Sequence, residues 1–238
     1  MGADFADDSL AGALVALAGT PDEASDLDER LARIARLAVD RVAAADFASV
    51  TTLRDGSYTT VACSGELVRA VDQIQYDDKD GPCLEALREN RAVTVPDIAT
   101  SVRWPGFARV ALRLGLRASV SLPLFTAGGA AVASLNLHGR DDRAMAPLIA
   151  GVWDVYDPDR DLPAGVRRPE PADDGARELL AGFAAAVAVR SRIQQALALL
   201  RERHAETMQD AYHRLVGMAA ESGRSVRVAA ETVLAGDL

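Results

Sequence analysis

Two pairs of strand-like runs, each pair joined by a glycine turn, constrain this chain more than any other feature. "ASVTTLR" and "SYTTVAC" flank Asp55-Gly56, and "RASVSLPLF" and "AAVASLNLH" flank Gly128-Gly129. Asp-Gly and Gly-Gly pairs supply the positive φ angles that close hairpins. Helical patterns lie before and between the two hairpins. That order predicts an α+β fold, an antiparallel sheet flanked by helices.

From Asp26 to Ala44, Leu27, Leu31, Ile34, Leu37, Ala38 and Val42 recur at three-to-four spacing, as on a half-buried helix. Shorter helices are expected over Gly65–Ile74 and Pro82–Asn90, then a strand in "AVTVPD", then a helix in "FARVALRL" that Gly115 ends. Pro147 can open a short helix carrying Leu148, Ile149, Val152, Trp153 and Tyr156 on one side. Repeated Pro, Asp and Gly from Asp157 to Gly175 read as a connector.

Beyond residue 176 there is no strand signal. Leu179, Phe183, Ile193, Leu197 and Leu200 follow a coiled-coil-like stripe on one long helix, and these five are the candidate dimerisation residues. Thr207, with Asp210 three residues on, caps a second helix whose buried side holds Ala211, Leu215, Met218 and Ala219. Gly223 ends it, and Ser225 caps a third helix bearing Val226, Ala229, Ala230 and Val233. The chain divides as an N-terminal segment (1–25), a sensor-sized domain (26–156), a connector (157–175) and a helical tail (176–238).

The net charge of −9 excludes a protein that wraps nucleic acid over its whole surface. The tail from Arg177 onward is nearly neutral, with eight arginines against seven acidic residues, so any polyanion site there is local. No run of eighteen apolar residues occurs, and the acidic start "MGADFADDSL" is unlike a secretory signal, so a cytoplasmic location is expected. Two cysteines and three scattered histidines make no zinc motif. Glycine-rich phosphate loops, nucleophile elbows and HExxH pairs are missing too, which predicts a protein that is not an enzyme and needs no cofactor or metal.

The landmarks Gln75-Tyr76, Gly81-Pro82-Cys83, Glu85-Ala86, Asp97, Arg103-Trp104-Pro105 and Pro123-Leu124 make residues 26 to 138 resemble the GAF domains that actinobacterial regulators place before an ANTAR domain. The tail is similar to the ANTAR domain through Ile193, Ala196, Leu199, Leu200, Arg203, Ala211, Leu215, Arg224, Val226, Arg227 and Ala230. It departs from that family at Leu197, where a lysine is usual, and at Ala219 and Gly223, which replace a serine and an asparagine.

The resemblance implies a homodimeric transcription antitermination regulator with two partners. One is an unknown small molecule, held in the GAF pocket by Tyr76, Cys83, Arg103 and Trp104. The other is RNA hairpins overlapping terminators, gripped by Arg201, Arg203, Arg214, Arg224 and Arg227. The missing lysine keeps a second reading open, a dimeric interaction module whose tail no longer binds RNA. For Cys83 the competing role is structural, a Gly-Pro helix start. Arg103-Trp104 reads either as a cation–π lid or as a loop whose indole covers the sheet.

Overall fold

The computed structural model describes residues 9–156 and 172–236. Five strands form one sheet: β1 (Phe47–Arg54), β2 (Ser57–Cys63), β3 (Val93–Val95), β4 (Ala118–Phe125) and β5 (Ala131–Gly139). Their order is β2-β1-β5-β4-β3, and every pairing is antiparallel. Asp55 and Gly56 both take positive φ, 51° and 74°, and close the first hairpin as expected. Pro123 is tolerated within β4 because β3 pairs only with Ser119–Ser121 and ends before it.

The helices are α1 (Leu10–Ala18), α2 (Leu27–Arg41), α3 (Glu66–Asp78), α4 (Pro82–Glu89), α5 (Pro105–Arg113), α6 (Asp142–Tyr156), α7 (Asp174–His204), α8 (Met208–Ser222) and α9 (Val226–Ala235). They divide between the two faces of the sheet. Ala48 and Val50, Val120, Leu122 and Leu124, and Ala133, Leu135 and Leu137 share one face and merge with α1, α2, α6 and the first half of α7 in the main core. The alternate residues face α3, α4 and α5.

α1 lies within residues 1–25, where the sequence patterning reveals no element. Ser9 caps it, with its hydroxyl accepting from Gly12 N at 2.9 Å, and Leu10, Leu14 and Leu17 are buried against α7. α6 starts at Asp142, before Pro147, so the proline sits inside the helix and does not open it. Asp141 caps that start by accepting from Arg143 N and Ala144 N. Leu148, Ile149 and Val152 are buried as expected, whereas Trp153 and Tyr156 are 46% and 47% exposed.

α7 serves two cores. Ala176, Leu179, Phe183 and Ala186 complete the core of the sheet, while Ile193, Ala196, Leu197 and Leu200 join α8 and α9 in a second core with Leu215, Val226, Ala230 and Val233. Thr207 and Asp210 make a full capping box on α8, and Ser225 caps α9, both where the sequence places them. Of the connector, residues 157–171 lie outside the described residues and the last two belong to α7.

The tail unit is seated on the sheet through the β4–β5 turn. Ala127 enters the second core, Arg190 Nε donates to Gly129 O at 2.5 Å, and Gln194 Nε2 donates to Gly128 O at 3.3 Å. Tyr212 OH accepts from Asp22 N at 2.9 Å, and Asp22 Oδ1 accepts from Gly128 N at 2.8 Å. The segment after α1 thus ties the tail to the turn.

Candidate ligand site on the polar face of the sheet

The α3–α5 face of the sheet is buried yet polar. Ser49, Thr51, Ser119, Ser121, Ser134, Asn136 and His138 are all 0–1% exposed, and they fall at alternate positions of β1, β4 and β5. The register sets Asn136 between Ser49 and Ser121, and His138 beside Ser119. α3 adds Asp72, Gln75 and Tyr76, and α4 adds Cys83.

These groups form a closed hydrogen-bonded ring. Asn136 Nδ2 donates to Ser49 Oγ at 3.2 Å and to Thr51 Oγ1 at 3.1 Å, while its Oδ1 accepts from Ser134 at 2.9 Å. Ser49 donates to Asp72 Oδ1 at 3.1 Å, and Thr60 donates to Asp72 Oδ2 at 2.9 Å. Tyr76 OH bridges Thr51 and Thr60, 2.8 Å from each. Thr60 has one proton and gives it to Asp72, so Tyr76 donates to Thr60 and Thr51 donates to Tyr76.

Burial pushes the Asp72 carboxyl up to about 7, against the lowering effect of the Ser49 and Thr60 hydroxyls and of the Arg69 charge. Cys83 is buried beside this carboxyl. Desolvation first, then the Asp72 charge, hold its thiol well above the usual range. Gln75 Oε1 accepts from Cys83 N at 3.0 Å and fixes the start of α4 behind Pro82. Burial alone lowers His138 to about 4, so its ring is neutral.

Next to the satisfied ring is a group without partners. Both His138 nitrogens and the hydroxyls of Ser119 and Ser121 are buried and make no hydrogen bond within the protein. Each unmet donor or acceptor in a protein interior costs about 1–3 kcal/mol. A neutral imidazole and two hydroxyls can each donate and accept.

A GAF domain profile matches residues 24–189, well over half of the chain. The chain belongs to the GAF domain family. Solved structures similar to it include the GAF domain region of a membrane protein from Geobacter sulfurreducens PCA, at 16% identity and a TM-score of 0.40, covering 69% of this chain and 94% of that one. A domain of a two-component sensor histidine kinase from Sinorhizobium meliloti 1021 is 13% identical, with a TM-score of 0.41 and 71% and 94% coverage. A type II free methionine-R-sulfoxide reductase from Thermoplasma acidophilum is 13% identical, with a TM-score of 0.36 and 48% and 74% coverage. No curated protein matches.

The structure divides the four residues that sequence assigns to the GAF pocket. Tyr76 and Cys83 belong to the polar face. Arg103 and Trp104 line a separate cavity at the β3 edge, whose walls include no residue of the ring. The ring residues Ser49, Thr51, Asp72 and Asn136 escape sequence reasoning because polar residues at every second strand position normally mark a solvated face. Here α3, α4 and α5 cover them.

The dimer stripe is also relocated. Leu179, Phe183, Ile193, Leu197 and Leu200 are at most 2% exposed within a single chain, the first two under α1 and the sheet and the others under α8 and α9. A seam for a second copy is therefore not available on these residues. All five candidate RNA arginines are exposed, and they do not share one groove. Arg214 on α8 lies among Asp210 and Glu221 of the same helix and Glu206 just before it, and pairs with Glu206 at 2.8 Å. Arg227 faces α1 across a groove and pairs with Glu231 at 3.2 Å.

Among the described residues no group of three or more His, Cys, Asp or Glu side chains is placed to hold a metal ion. No described helix is long and apolar enough to cross a membrane.

Proposed function

We propose that this GAF protein is a sensory regulator whose polar sheet face receives a small molecule and whose tail is an ANTAR-type output that binds RNA hairpins overlapping terminators. The observation that carries the output half is the second core. Three helices, the second and third capped at Thr207 and Ser225, close on Leu197, Leu215 and Val226 and leave Arg201, Arg203 and Arg224 exposed and outside the ion pairs among the described residues. Exposed guanidiniums suit phosphate and splayed bases. In this reading the protein works as a cytoplasmic homodimer through a face other than the buried α7 stripe.

The reading includes no catalytic step. The Cys83 thiol, which a thiol-dependent chemistry would have to ionise, is buried, and burial raises its pKa.

The test is a gel shift with terminator-derived hairpin pairs over a range of salt. Binding that weakens with salt and drops at least ten-fold in an Arg203→Gln/Arg224→Gln double variant supports the output. Absence of binding at low salt favours the second reading, an interaction module. Leu197 motivates that alternative, because the residue standing at the usual lysine position is 2% exposed and turned into the tail core, where it cannot touch phosphate.

A further inference from the structure

A cavity of about 340 Å³ opens at the edge of the sheet, where β3, the start of α5 and the end of α6 meet. That volume is in the range of small-molecule sites. Its walls are aromatic: Trp104 is packed behind β3, while Trp153 and Tyr156 are roughly half exposed at its mouth. Tyr156 is fixed on two sides, its OH accepting from Ala92 N at 2.8 Å and its ring meeting Phe183 edge-on at 6.0 Å. The Thr94 hydroxyl, also in the lining, is buried without a hydrogen-bond partner.

The charge at this cavity is unbalanced. Arg91 Nη2 lies 2.7 Å from Glu85 Oε1, and Arg103 Nη2 lies 2.6 Å from Glu85 Oε2, so two guanidiniums share one largely buried carboxylate. One positive charge is left over. Arg103 Cζ also lies over the Trp104 ring, 4.7 Å from its centroid, a cation–π contact. Each guanidinium has five N–H donors, more than its pairing with Glu85 uses, so donors remain for a second carboxylate.

We propose that this cavity is a second binding site, separate from the polar sheet face, and that it takes a small planar aromatic carboxylate. The ring lies between Trp104, Trp153 and Tyr156, and the carboxylate meets Arg91 and Arg103. Arrangement of aromatic faces around the ring and a single surplus cation at the rim selects against both a bare anion and a neutral aromatic.

Trp104 and Trp153 are the only tryptophans in the chain, so the two indole N–H signals in a nitrogen–proton correlation spectrum both report on this cavity. The full chain is titrated with 2-naphthoate, 2-naphthamide and inorganic phosphate. The expected result is saturable movement of both indole signals by 2-naphthoate, with 2-naphthamide binding at least ten-fold more weakly and phosphate moving neither. Arg103→Gln brings 2-naphthoate down to the affinity of the amide, and Trp153→Ala, at an exposed position, weakens both aromatic probes. Equal binding of acid and amide, an equal response to phosphate, or no loss in Arg103→Gln overturns the proposal.

Discussion

Both hydrogen-bonded chains that leave the Asn136 amide end on the carboxyl group of Asp72. One runs through Ser49 to Oδ1, and the other runs through Thr51, Tyr76 and Thr60 to Oδ2. Every proton in the ring points toward an ionised Asp72. If the carboxyl is protonated it must donate from one oxygen, and either the Ser49 bond on Oδ1 or the Thr60–Tyr76–Thr51 chain on Oδ2 reverses.

That dependence makes Asp72 a measurable contributor to stability. Its pKa rises from 3.8 to about 7 on folding, so between those values the folded protein holds a proton that the unfolded chain has lost. Stability from this group is full below the unfolded value and is lost as pH rises toward 7, a change on the order of 4 kcal/mol. Asp72→Asn mimics the protonated form, with its amide donating to Thr60. In urea unfolding at pH 8 the variant is expected to be more stable than the parent by up to about 4 kcal/mol, and the two should converge near pH 4. A variant less stable at pH 8 would show that the ionised ring is the favoured state.

His138 acts in the opposite direction. Burial lowers its pKa from 6.5 to about 4, so in that interval the unfolded chain binds the extra proton and stability falls as pH falls. Across roughly pH 4 to 6.5 the slopes from Asp72 and His138 oppose one another. Unfolding free energy of the parent should be nearly flat there. His138→Leu, which removes two partnerless nitrogens against Phe107, should expose the Asp72 slope as a loss of stability with rising pH. Asp72→Asn should expose the reverse slope, and identical pH profiles for the two variants would contradict both assignments.

The seating of the tail depends on one phenol. Tyr212 is 9% exposed, and its OH meets Asp22 N at 2.9 Å and Glu23 Oε2 at 3.3 Å. Tyr212→Phe keeps the ring in the second core and removes only these bonds, worth about 1 kcal/mol together with the Asp22 amide left unpaired. Native-state hydrogen exchange is expected to speed up several-fold in α8 and α9 and to stay unchanged in β4 and β5. Equal acceleration in both regions would mean that the two cores open as one unit.

Legibility from sequence followed the physics of each element. Both hairpins, the capping box at Thr207 and the Ser225 cap were readable because turn and cap chemistry is local. Partner choice was not. The stripe Leu179–Leu200 has the spacing of an intermolecular seam, and periodicity alone cannot say that α1 and α8–α9 of the same chain cover it. Likewise Ser49, Thr51 and Asn136 alternate as a wetted face would, and only the placement of α3 to α5 turns that face into an interior. α1 has a sequence too short and too uniformly apolar to show a face.

α1 crosses α7 at a small residue, Gly182, in the first third of α7. A Cβ at this position would lie 2.5 Å from Ala11 Cα and 3.0 Å from Ala11 Cβ, so backbone, and not a flexible side-chain end, blocks it. Two effects compete in Gly182→Ala. Helix propensity favours alanine by about 1 kcal/mol, while forcing apart a packed helix pair costs about 1–3 kcal/mol. The contact is below any normal approach and neither backbone can yield without disturbing Leu10 and Leu14, both buried in the main core. The overpacking term should win. Thermal unfolding is expected to show a net loss of about 1–2 kcal/mol in Gly182→Ala. A Gly182→Ala protein as stable as the parent would mean that α1 can lift from α7 without cost.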